Sequence, residues 1–104
     1  MKIRKHLSLF NLLTEAPDEQ RFALLNTLNP SQLRAVLEAI YNVLRGTCPI
    51  QDKLKKALYP HRSVLRRLVS KELTRQQQQR LLVKHRSVVA LALKPVVDLL
   101  SEQT

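Results

Sequence analysis

One glycine, one cysteine and no tryptophan stand among the 104 residues of the chain, and aromatic side chains make up 4% of it. A single glycine excludes glycine-rich phosphate loops, collagen-like repeats and a hairpin-rich β fold, which need several residues free to take positive φ. A single cysteine, Cys48, closes no disulfide within the chain and makes no zinc knuckle, so packing alone must hold the fold. Acids are scarce too: 8 Asp and Glu face 18 Lys and Arg, a net charge of +10. That excess points to a polyanionic partner: nucleic acid, anionic lipid or an acidic protein. With 44% hydrophobic residues, a chain of this length builds one small core and not two.

The cations are concentrated. Lys53, Lys55, Lys56, Arg62, Arg66, Arg67, Lys71, Arg75, Arg80, Lys84 and Arg86 fall in one window that holds a single acid, Glu72. Eleven against one leaves +10, the whole net charge, and the remainder carries seven of each sign. The chain therefore divides into a neutral part (1–47), a basic part (48–86) and an apolar C-terminal part (87–104). A solvated helix surface ordinarily mixes both signs, and this window hardly does.

Periodicity predicts helices throughout, an all-α bundle of five to six short elements. Ile3, Leu7, Phe10 and Leu13 recur at helical spacing, as do Phe22, Leu25 and Leu28 after Pro17. Asn29-Pro30-Ser31-Gln32 reads as a capping box, Leu33 to Leu44 repeats at the helical period with Tyr41 on the same stripe, and Gly46 suits a left-handed stop. Pro49 is expected in the first turn of a short helix carrying Leu54, Ala57 and Leu58, broken by Tyr59-Pro60. A further helix over 61–70 buries Val64, Leu65 and Leu68, and Thr74 with Gln77 can cap the next. The last helix carries Val88 to Leu93, and Pro95 is expected to kink or stop it.

No constellation for catalysis stands out. The serines have no G-x-S-x-G context, and Cys48 beside His61 or His85 is the one nucleophile–base pairing available. His6, His61 and His85 are far apart, so neither a metal nor another cofactor is expected. Residues 88–100 are apolar but shorter than the roughly 20 residues a bilayer span needs, and burial against the Leu33–Leu44 helix is expected. Nothing at the N-terminus reads as a signal peptide, because Ser8, Asn11, Thr14 and Glu15 interrupt the apolar run.

Residues 41–86 carry a resemblance. Tyr41 to Ile50 looks like a helix end followed by an N-G-x-I-P-L type turn. Leu54-Lys55-Lys56, the stretch His61 to Leu68, Lys71, Thr74 and Leu81-Leu82 then follow in order. This order resembles a family of short basic proteins of Maverick/Polinton elements and adintoviruses, over somewhat less than half the chain. The resemblance implies a virion component, a DNA-associated core protein compared with the small basic core protein of adenoviruses, located in the virion and the host nucleus. The family's di-glycine before the apolar tail is absent, with His85-Arg86 about there, and its Lys-rich stretch is Gln76 to Gln79 here. No cleavage or membrane role tied to that di-glycine carries over.

The expectation is thus a non-enzymatic protein that grips double-stranded DNA through its phosphates, with the eleven window cations as contacts. RNA stays open as a partner, as do self-association and contact with a capsid protein. A variant of this reading is a three-helix reader from about Pro49 to Lys84, whose Thr74–Arg80 helix would enter a major groove. The commoner fate of Gln76 to Gln79 is a polar solvent face. Two alternatives belong to other classes: a helical module docking on an acidic partner, and a membrane-active virion protein.

Overall fold

The computed structural model describes residues 3–102, and every regular element among them is a helix. The α-helices are α1 (Leu7–Glu15), α2 (Asp18–Asn26), α3 (Pro30–Arg45), α4 (Asp52–Leu58), α5 (Arg62–Leu68), α6 (Arg75–Lys84) and α7 (Arg86–Glu102). Short 3-10 turns precede α1 and join α4 to α5. This is the small all-α bundle that the periodicity calls for.

Local chemistry sets most helix ends. At the start of α3 the Gln32 amide donates to Asn29 Oδ1 at 2.8 Å, and the Asn29 amide donates to Gln32 Oε1 at 2.9 Å. Thr74 and Gln77 make the same reciprocal box at α6. Both satisfy amide groups that a helix start otherwise leaves bare. Gly46 ends α3 at φ 77°, where its amide reaches the Asn42 and Val43 carbonyls. The end of α1 uses a long-range device: Arg21 of α2 donates from Nε to the Leu13 carbonyl at 2.7 Å and from a terminal guanidinium nitrogen to Ala16 at 3.0 Å.

The axis of the bundle is α7, which touches α1, α2, α3, α4 and α6. One apolar cluster runs from Ile3 to Leu100, so the neutral, basic and apolar stretches share a core. Pro95 neither stops nor divides α7, which runs unbroken from Arg86 to Glu102. An interior proline costs about 3 kcal/mol. Leu93, Val96 and Leu100 around it are each at most 1% exposed, and each contributes about 1.5–3 kcal/mol by burial, so packing outweighs the missing bond.

Three other expectations are corrected. Pro49 lies outside α4, which begins at Asp52 behind Gln51, and Ala57 faces solvent. Phe22 and Tyr41, expected on apolar stripes, are 46% and 47% exposed. Each ring carries a guanidinium instead: Arg86 lies 5.3 Å from the Phe22 centroid and Arg45 lies 5.4 Å from that of Tyr41. Leu28 follows the end of α2 and is half-buried.

Candidate functional site

The helices of the basic stretch are short, and each spends its few apolar residues on the core. Leu58 of α4, Leu65 and Leu68 of α5, and Leu82 of α6 are buried. The intervening cations are thereby turned outward: Lys53, Lys55 and Lys56 on α4, Arg62, Arg66 and Arg67 on α5, Lys71 in the following turn, and Arg75, Arg80 and Lys84 on α6 are all exposed. On α6 the four-residue spacing of Gln76, Arg80 and Lys84 lines them up along one ridge.

Arg86 is different. Its Nε donates to Asp18 Oδ1 at 2.7 Å and a terminal nitrogen donates to Oδ2 at 2.9 Å, a bidentate pair that ties α7 to α2. Hydrogen bonding from Arg86 holds the Asp18 carboxyl below its ordinary range, and the same bond raises the guanidinium. Among the described residues Arg86 is the one window cation with a carboxylate partner. The expected contact set therefore contains ten exposed cations without a carboxylate partner among the described residues and one that is committed to the fold.

These ten do not form one uniform patch. α5 lies against α6, and α6 runs into α7 at His85. Burial pushes the His85 imidazole below its usual value, with further lowering from Lys84, Arg67 and His61. The corner where α5 meets the α6–α7 junction is thus electropositive, built from both elements. α4, which carries Lys53, Lys55 and Lys56, rests on α7 and is joined to α5 by the Tyr59–His61 turn. At that turn the Arg62 guanidinium lies 4.0 Å from the centroid of Tyr59, which is 63% exposed.

The glutamine run is a solvent face only in its first half: Gln76 and Gln77 are exposed, whereas Gln78 is buried and Gln79 half-buried. Gln78 is 4% exposed, and its amide nitrogen donates to the Leu68 carbonyl at 3.1 Å and to Ser70 at 3.3 Å, while Oε1 accepts from Arg75 at 3.2 Å. Gln79 donates to the Leu25 carbonyl at 2.9 Å, and Gln77 belongs to the cap. Only Gln76 is left for solvent without such a bond. A groove-reading helix needs free side chains aimed outward, so the helix-turn-helix variant loses most of its readers.

Sequence reasoning missed Arg34. It lies in the neutral half, but α3 is folded against α5, and this brings Arg34 to the same cleft as Lys71 and Arg75. No signal in the sequence marks that approach.

Cys48 is 2% exposed, and burial followed by the nearby Asp98 charge raises its thiol. An activated nucleophile needs the opposite shift. Among the described residues no three His, Cys, Asp or Glu side chains gather as a metal site, and no helix is long and apolar enough to cross a membrane. Comparison with protein-family models, curated proteins and solved structures gives no match.

Proposed function

We propose that the protein binds duplex DNA through its phosphate backbone, with α5 and α6 as the principal contact elements and no reaction catalysed. The observation that carries the reading is the ten exposed window cations without a carboxylate partner among the described residues. A protein that needed this charge for its own fold would pair it, as it pairs Arg86 with Asp18. Arginine offers phosphate a planar two-pronged donor and lysine a point charge, and neither reads sequence in doing so. The resemblance to the small basic proteins of Maverick/Polinton elements and adintoviruses supports a role in packaging a viral or transposon genome, inside the virion and the host nucleus.

A salt titration tests this reading. With about six phosphate contacts, duplex affinity should fall with roughly the fifth power of salt concentration. Replacing Arg66→Glu and Arg67→Glu together should weaken binding at least about tenfold and flatten that slope, with helical content unchanged. A mobility shift unaffected by the double substitution would remove α5 from the interface. Duplex RNA run alongside decides whether the grip is confined to DNA.

A further inference from the structure

A cleft of about 590 Å3 opens between α3 and the turn that leads into α6. Its floor is apolar: Leu37 is buried, and Val69 and Leu73 are half-buried. Its rim carries three exposed cations, Arg34, Lys71 and Arg75, against one carboxylate, Glu38. The turn is fixed in place, because the buried Gln78 amide holds the Leu68 and Ser70 carbonyls while its oxygen orients Arg75. The volume falls within the range of roughly 300–1,000 Å3 found for ligand sites.

A DNA backbone has no use for an apolar floor, since phosphate contacts need only cations and donors. The combination fits a ligand that is apolar in the middle and anionic at its edges. We propose that this cleft receives a short acidic segment of a protein partner. An apolar side chain sits on Leu37, Val69 and Leu73, and flanking carboxylates meet Arg34, Lys71 and Arg75. The site shares Lys71 and Arg75 with the basic window, and what separates it from a backbone grip is Arg34, outside that window, together with the apolar floor.

Fluorescence anisotropy of the full chain with a labelled peptide of alternating leucine and glutamate gives the direct measurement. The expected result is saturable binding that weakens about tenfold or more when serine replaces leucine, reflecting the lost apolar burial. Arg34→Glu should weaken the peptide about tenfold by placing like charges together, while duplex DNA affinity stays within about twofold. Leu73→Glu should give the same pattern through the floor, and circular dichroism checks that both variants keep their helices. The Arg66→Glu, Arg67→Glu protein should do the reverse, losing DNA and keeping the peptide. Loss of DNA binding alone in the unaltered protein would remove only the nucleic-acid reading. Equal affinity for the leucine-free peptide, or no effect of Arg34→Glu, overturns the proposal. So does a parallel loss of DNA and peptide in Arg34→Glu, which would make the cleft part of the DNA surface.

Discussion

Gln78 joins two functions that a sequence keeps separate. It closes the carbonyl end of α5 and it holds Arg75 at the cleft rim. Replacing it with alanine strips the Leu68 carbonyl of its donor inside the protein and leaves Ser70 only the 3.3 Å bond from the Leu73 amide, and an orphaned group costs about 1–3 kcal/mol. Urea unfolding of Gln78→Ala should register a loss in that range, whereas Gln76→Ala, at an exposed position, should stay within about 0.5 kcal/mol. Gly46 invites a similar comparison. A Cβ there meets no atom within 4 Å, so Gly46→Ala costs only the left-handed backbone, about 1–2 kcal/mol by thermal unfolding. The two residues differ in legibility. Gly46 announces itself after an apolar run, but Gln78 looks like its three neighbours, and only the approach of α5 selects it.

At the scale of elements, the corner formed by α5 and the α6–α7 junction has a pH dependence of definite sign. Folding lowers the His85 value through burial and the charges of Lys84, Arg67 and His61. The unfolded chain therefore holds this proton more tightly, and the free protein loses stability as pH falls below the ordinary histidine value of about 6.5. A bound phosphate opposes those cations and favours the charged imidazole. DNA binding should accordingly take up protons, and affinity should rise between about pH 7.5 and pH 5.5 at constant salt. His85→Gln should rise less over the same range, and equal profiles would exclude contact at this corner. The helices themselves were largely readable because caps and apolar spacing are local signals. Asn29 with Gln32 and Thr74 with Gln77 form the boxes their spacing predicts. Pro95 misleads for the complementary reason: its penalty is local, but the burial that overrides it comes from the rest of the bundle.

The whole molecule measures 31 × 28 × 26 Å, with a Cα radius of gyration of 12.5 Å. Along DNA, at about 3.4 Å per base pair, one copy can cover roughly nine base pairs. Stoichiometric titration with duplexes of increasing length should therefore show one protein per eight to ten base pairs, about that spacing, at saturation. A much larger site would mean that copies hold one another off the DNA. The clustering of charge along the chain was legible, and so was its exposure, because leucines at helical spacing occupy the inward positions. The grouping of Arg34 with Lys71 and Arg75 was not, since it depends on how α3 meets α5. The arrangement of α1 beside α7 has its own bearing on biosynthesis. During translation the first helix has no permanent seat until the seventh leaves the ribosome, and the cationic middle emerges beforehand next to ribosomal RNA. Nascent chains arrested before Val88 should stay open to protease, and resistance should arrive only after α7 is released.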